Sequence, residues 1–190
     1  MPRSCHDAIL GWLLALISAP QSNVKGATPG VEIFADQVDT TSGPASSAMG
    51  PFYFPGDQVA YFDSCFFSDL RTEFGADGGD LAEEYVVANE YGHHIQHTIG
   101  TLAASRQGGR GANSGSVRVE WQAHCFAGMW VAYASQATGA NGNTFMKPLT
   151  GKDLRSALSA AAGLGDDRIQ QAATGRVSPR RPDPWFLGAT

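Results

Sequence analysis

Two short stretches of this chain pair a carboxylate with an imidazole at helical spacing. The first is Asn89-Glu90-Tyr91-Gly92-His93-His94, with Glu90 and His93 three residues apart. The second is Glu120-Trp121-Gln122-Ala123-His124, with Glu120 and His124 four apart. Residues three or four apart on a helix share a face, so each stretch offers a proton acceptor and a nitrogen ligand to one side. Together they could hold a divalent cation and move a proton. The closest chemical pattern is H-E-x-x-H on a helix. There, two imidazoles four apart grip one zinc ion, and the glutamate beside the first takes a proton from a metal-activated water. A third ligand from another helix leaves the fourth position open. Glu90 and His93 are in register with that pattern, while Asn89 stands where the first imidazole belongs. E-x-x-H alone is a weak signal, and the second acidic, His-bearing stretch is what gives it weight. His97 lies four residues after His93, but His94 faces another side and His97 is near the helix end, so both read as surface or hydrogen-bonded histidines.

The elements that must carry these residues are helices. Leu81–Ile99 reads as the first, with Asp80 as N-cap, Glu83 and Glu84 in the first turn and Gly100 at the stop. Its stripe Ala82, Tyr85, Val86, Asn89, His93 and Gln96 points inward. Gly100–Gly115 is polar and glycine-rich and reads as a loop. A second helix is predicted over Ser116–Gln136, with Val117, Glu120, His124, Gly128 and Val131 on one face. Polar groups in an apolar stripe need a counter-group or a metal, because burying an unpaired charge is costly. Asp153–Ala162 reads as a third helix and Asp166–Ala173 as a short fourth. Ahead of these, Val31–Ala35 and Gln58–Phe67 have strand character, and Ser68–Phe74 opens a helix. The expected class is α+β, mostly helical, with a small N-terminal strand region.

Several ordered motifs give the chain a family likeness. It resembles the bacterial neutral zinc metallopeptidase family at Gly50-Pro51-Phe52-Tyr53, at Asp57-Gln58, over Tyr61–Phe67 and over Val86–Gln96 around Glu90-Tyr91-Gly92-His93-His94. The likeness resumes over Val119–Gly128 and at Gly165-Asp166-Asp167-Arg168-Ile169-Gln170. The resemblance implies a zincin-like metallopeptidase core, a zinc cofactor and a peptide or protein substrate. It further implies Glu90 as general base, His93 as the second ligand and Glu120 as the third, in the manner of gluzincins. Their pattern is H-E-x-x-H followed by E-x-x-x-D, and the Asp orients the first imidazole. In this chain His124 stands in place of that Asp. The two departures suggest an exchange in which His124 is the replacement ligand and Asn89 orients it through its side-chain carbonyl. A weakened three-ligand site and a site without metal are the other two readings. The corresponding functions are a zinc-dependent peptidase, a catalytically silent relative that binds peptide, or a zinc-stabilised module closed by His93, His97, Glu120 and His124. Family members also carry two cysteines, implying a disulfide, where this chain has Ser42 and Phe54. They continue into a His-bearing segment before a Trp-Phe close. This chain passes from Gly175 to Pro184-Trp185-Phe186, with Arg180 and Arg181 in a tail that reads as solvated.

Composition bounds the alternatives. The chain has 190 residues, 43% of them apolar, enough for one domain with a core. Residues 1–22 read as a signal, anchor or irregular segment, 23–178 as the peptidase-like domain and 179–190 as an irregular tail. Net charge is −5 and no Lys/Arg run exceeds two, so no nucleic-acid partner is expected. Ala8–Ala19 is apolar but short of the roughly 20 residues that span a bilayer. It points to export or membrane association, and otherwise the protein is cytoplasmic. The three cysteines, Cys5, Cys65 and Cys125, form no C-x-x-C pair. Cys125 reads as a buried thiol packed as a small hydrophobe. It adjoins His124, yet helix neighbours point about 100° apart, and no G-x-S-x-G elbow exists, so serine or cysteine hydrolysis is disfavoured.

Overall fold

The computed structural model describes residues 28–68, 79–105, 114–139 and 142–164. The expected features at Ala8–Ala19, Asp166–Ala173, Gly165–Gln170 and the tail from Pro179 lie outside them, as does nearly all of Ser68–Phe74. The described residues form a mixed α/β arrangement. Five strands come first: β1 Gly30–Phe34, β2 Gln37–Thr40, β3 Gly43–Ser46, β4 Phe52–Phe54 and β5 Val59–Asp63. Helices follow: α1 Asp80–Thr98, α2 Thr101–Ser105, α3 Gly115–Ala134 and α4 Gly151–Leu164.

β5 is the centre of a three-stranded sheet in the order β1-β5-β4. β1 pairs with it in parallel, Gly30 opposite Val59 and Phe34 opposite Asp63, while β4 pairs antiparallel, Phe52 opposite Tyr61. Burial follows, since Ala60 and Phe62 are fully enclosed. β2 and β3 form a separate hairpin. Its turn is held from outside: Asp57 accepts from the Thr41 amide at 3.3 Å and from the Tyr61 hydroxyl at 2.7 Å. These bonds tie the turn next to Ser42 to the segment that follows Phe54, the region where the family likeness implies a disulfide.

α1 is the spine of the molecule. It packs against α3, α4 and the β4–β5 edge, and Val86 and Val87 are fully buried. Its N-cap is Gly79, at φ +126°, and not the expected Asp80, which lies inside the first turn with Glu83. Only a residue tolerant of positive φ fits that entry, and Asp80 still serves the helix dipole from one position on. At the other end Gly100, φ +81°, donates its amide to the His97 carbonyl. The loop expected over Gly100–Gly115 begins instead with α2, which closes the C-terminal end of α1. α3 starts at Gly115, capped by Ser114, whose hydroxyl accepts from the Val117 amide. α4 is capped reciprocally by Thr150 and Asp153, with Asp153 accepting from the Thr150 amide at 2.8 Å and the Thr150 hydroxyl accepting from the Asp153 amide.

One buried group in α1 works against stability. Glu84 is 8% exposed and its Oε2 has no hydrogen-bond partner among the described residues. Burial first, then the charges of Asp80, Glu83 and Asp153, push its carboxyl from 4.5 up to about 7. The folded state therefore holds its proton over a pH range in which the unfolded chain has released it. Below about pH 4.5 this costs nothing; the cost grows as pH rises to about 7 and then levels. Glu84→Gln is expected to raise unfolding free energy at pH 8 by about 1–3 kcal/mol and to leave it nearly unchanged near pH 4.5. Urea unfolding at the two pH values measures the difference, and equal effects at both would contradict the assignment.

Candidate metal and proton-transfer site

The site lies where α1 crosses α3. The two helices run antiparallel, with Gln96 beside Val119, Gly92 beside Ala123, and Tyr85 and Asn89 beside His124. Gly92 permits the approach. A Cβ built on it would lie 3.1 Å from both the Cα and the carbonyl oxygen of Ala123. α3 accordingly buries its small residues, Val119, Ala123 and Ala127, against α1. The expected inward stripe through Val117, Glu120, His124 and Gly128 is therefore off by one position. Glu120 and His124 flank the buried line, and both are half-buried.

The structure brings His93 and Glu120 together. His93 Nε2 lies 3.4 Å from Glu120 Oε2, with 13% of the His93 side chain and 37% of the Glu120 side chain exposed. Burial pulls the His93 imidazole down, but the Glu120 hydrogen bond and the charges of Glu90 and Glu120 outweigh it and hold the ring at about 9. Burial raises the Glu120 carboxyl, and the His93 bond and charge, with His124, bring it below its ordinary value. Glu90, 4% exposed, sits within the field of both. Burial is the main cause that lifts its carboxyl to about 7, with Glu120 adding and the His93 charge and the Tyr53 backbone amide opposing.

Asn89 and His124 form a second pair. The Asn89 amide nitrogen lies 3.3 Å from His124 Nδ1, and the Tyr85 hydroxyl lies 2.9 Å from the same nitrogen. The Tyr85 and His124 rings stack at 5.9 Å. The expected orienting group was the Asn89 carbonyl, and here the amide nitrogen faces the ring. The Tyr85 hydroxyl also donates to the His124 backbone carbonyl at 3.5 Å, so Tyr85 and Asn89 together hold the Nδ1 side of the ring. Among the described residues no cluster of three His, Cys, Asp or Glu side chains stands close enough to share one ion. The site residues thus assemble as a His93–Glu120 pair with Glu90 beside it, and an Asn89–His124 pair next to that.

Other expected features resolve plainly. His94 is buried and His97 half-buried, and their Nδ1 atoms lie 3.0 and 2.8 Å from the Tyr53 hydroxyl of β4. Both are hydrogen-bonded, and His94 is not on the surface. Cys125 is exposed, so the buried-thiol reading fails: its position on α3 faces away from α1. Tyr85 and Gln96 contact site histidines, and a polar group on an inward stripe was the sequence signal for each. No helix among the described residues is long and apolar enough to cross a membrane.

The donor set fits zinc in part. Two ligands about 2.0–2.1 Å from a tetrahedral zinc stand about 3.3 Å from each other. His93 Nε2 and Glu120 Oε2 have that separation and are an imidazole and a carboxylate, the donor types zinc takes. Among the described residues no third His, Cys, Asp or Glu joins this pair. His124 can offer Nε2 when the ring proton is on Nδ1, with the Tyr85 oxygen accepting it.

Comparison with known proteins agrees with this chemistry. Residues 17–185 match a family described as "Putative neutral zinc metallopeptidase". The chain is 53% identical over 162 residues to the uncharacterized protein Rv2575 of Mycobacterium tuberculosis, covering 85% of this chain and 54% of that protein. It is 41% identical over 156 residues to the uncharacterized protein YpfJ of Escherichia coli K12, covering 80% of this chain and 51% of that protein. The chain thus spans about half the length of these relatives. No solved structure matches it.

Proposed function

The chain belongs to the neutral zinc metallopeptidase family, and from that premise we propose that it is a zinc-dependent peptidase with a rearranged, zincin-like ligand set. The observation that carries this reading is the His93–Glu120 pair at 3.4 Å beside the buried Glu90. His93 and Glu120 would hold the ion, and His124 would complete the set through Nε2. A bound zinc supplies Lewis acidity for a scissile carbonyl and acidity for a water. The chain's own residues do the rest. Glu90, at about 7, is poised to take a proton from the attacking water near neutral pH and deliver it to the leaving amine. Its burial keeps bulk water from competing for that proton. Tyr85 and Asn89 hold the ring of His124, and Glu120 holds the His93 imidazole at Nε2.

Metal analysis of the purified chain tests the reading together with chelator-sensitive hydrolysis of a casein substrate. The wild type is expected to bind about one zinc per chain. His93→Ala is expected to lower zinc affinity by more than about 100-fold, beyond the loss typical of an outer-sphere partner. Equal, stoichiometric zinc in wild type and His124→Ala would remove His124 from the ligand set. A wild type without zinc or activity that gains both in Asn89→His would identify a silent relative and overturn the proposal.

A further inference from the structure

We propose that Tyr53 is a positioning residue for Glu90, holding the carboxyl from the β4 side with its backbone amide while its own hydroxyl is locked between His94 and His97. The inference rests on the peptidase reading above and deepens it, because Glu90 serves as a base only where its carboxyl is aimed.

α1 presents two polar lines. Asn89, His93 and Gln96 meet α3, whereas Glu90, His94 and His97 meet β4. The second line follows i, i+4, i+7 spacing and runs about 10 Å along the helix axis. Tyr53 lies along it. At one end its backbone amide donates to the Glu90 carboxylate. At the other its hydroxyl stands 3.0 Å from His94 Nδ1 and 2.8 Å from His97 Nδ1. A phenol has one hydrogen, so of two neutral rings one donates to its oxygen and the other accepts from it. The rings also pack, with the Tyr53 centroid 5.4 Å from that of His94, edge-on, and 6.0 Å from that of His97. Tyr53 and His94 are buried, so water has little access to these bonds.

β4 needs such an anchor. It has three residues between Pro51 and Pro55, and it is an edge strand, paired with β5 on one side only. A strand that short, supported along one edge and flanked by residues without an amide hydrogen, opens easily. Yet the Glu90 carboxyl depends on one amide of this strand. The Glu90 side chain has several rotatable torsions, and burial alone does not choose among their rotamers. One carboxylate oxygen engaged by the Tyr53 amide leaves the other to take a proton. Fixing the strand through its hydroxyl fixes the amide, and the amide aims the carboxyl.

Tyr53→Phe removes the hydroxyl alone and keeps the ring and the amide. In the full, zinc-loaded chain it is expected to lower kcat on casein about 10-fold, less than the roughly 100-fold cost of a 1 Å displacement, with KM and zinc content unchanged. His97→Ala is expected to act in the same direction, and His97→Asn, which returns a polar atom near the Nδ1 position, to recover most of the loss. Amide hydrogen exchange reads the tether without any activity. The Tyr53 amide is expected to be protected in wild type although it lies on an edge strand, and to exchange at least about 10-fold faster in Tyr53→Phe, while the Ala60 amide on the central strand keeps its rate. A wild-type Tyr53 amide that exchanges as freely as in an unfolded chain overturns the inference even where no variant folds. So does a fall in kcat accompanied by loss of zinc or by equal loss of protection at Ala60, which marks general loosening. If protection falls at position 53 alone and no form of the protein hydrolyses casein, the tether stands and the peptidase reading falls. If wild type hydrolyses casein and folded Tyr53→Phe keeps both kcat and protection, the peptidase reading stands and the role of Tyr53 falls.

Discussion

Glu90→Gln is expected to lower kcat/KM for peptide hydrolysis by about 10²–10⁴-fold, the span a positioned general acid–base supplies, while leaving zinc content and fold intact. The substitution changes almost no volume, so the packing of α1 on β4 survives. It removes only the ability to accept and return a proton. Glu90 is suited to that task because a buried carboxyl with its proton affinity near neutrality is half-loaded at working pH. It is not one of the proposed ligands, so metal binding has no reason to fall. The carboxyl must be ionised to act, so activity rises with pH through an acid limb. That limb lies at or below about pH 7, since a cation held by His93 and Glu120 stabilises the carboxylate further. Metal analysis, a thermal melt and a pH–rate profile on the same preparations check all three statements. Activity within about tenfold of wild type in a zinc-loaded Glu90→Gln would remove Glu90 from the proton path.

What the sequence reveals of this arrangement depends on how local each feature is. α1 and α3 are legible because a 3.6-residue apolar period and strong punctuation agree along some twenty residues, and their ends shift only by a residue or two. The His93–Glu120 approach is legible in part: each is a polar group at helical spacing beside an apolar stripe, although Glu120 stands at the edge of the α3 contact and not on its buried line. β2, β3 and β4 are not legible. β3 contains Gly43 and Pro44, β4 is three residues long between Pro51 and Pro55, and their pairings exist only through partners elsewhere in the chain. The parallel pairing of β1 with β5 is likewise non-local. α2, five residues long, carries too little periodicity to be seen.

The face of α3 fails for a more instructive reason. Hydrophobicity favours the line through Val117, Gly128 and Val131, but helix approach is governed by size. Gly92 on α1 selects a small side chain opposite, Ala123, and the helix turns by one position to present it. That rotation leaves Glu120 and His124 at the edge of the contact, near the solvent, where a substrate and a metal could reach them. Glu120 keeps more than a third of its side chain exposed for this reason. A pattern read from one helix cannot contain that choice, because it belongs to the pair.

Gly92→Val follows from the same contact, with an expected loss of about 3 kcal/mol or more, at the upper end of overpacking costs. The first side-chain carbon alone would stand 3.1 Å from two backbone atoms of Ala123, and backbone cannot move aside as a side-chain tip can. The branched carbons of valine extend the clash. Gly92→Ala is milder, since the gain of about 1 kcal/mol in helix propensity offsets part of the strain. Pairing it with Ala123→Gly relieves only the 3.4 Å contact with the Ala123 Cβ and leaves the Cα and carbonyl contacts in place, so rescue is partial. Separation of the helices has a second consequence that simple destabilisation lacks. The Gln96–Val119 bond at 2.6 Å and the His93–Glu120 approach at 3.4 Å both cross this interface. Folded Gly92→Ala is therefore expected to lose zinc affinity in excess of wild type at a temperature where both are fully native. Urea unfolding gives the first quantity and zinc titration the second. A Gly92→Val protein as stable as wild type would mean that α1 and α3 do not meet at this point, and the His93–Glu120 contact across them would go with it.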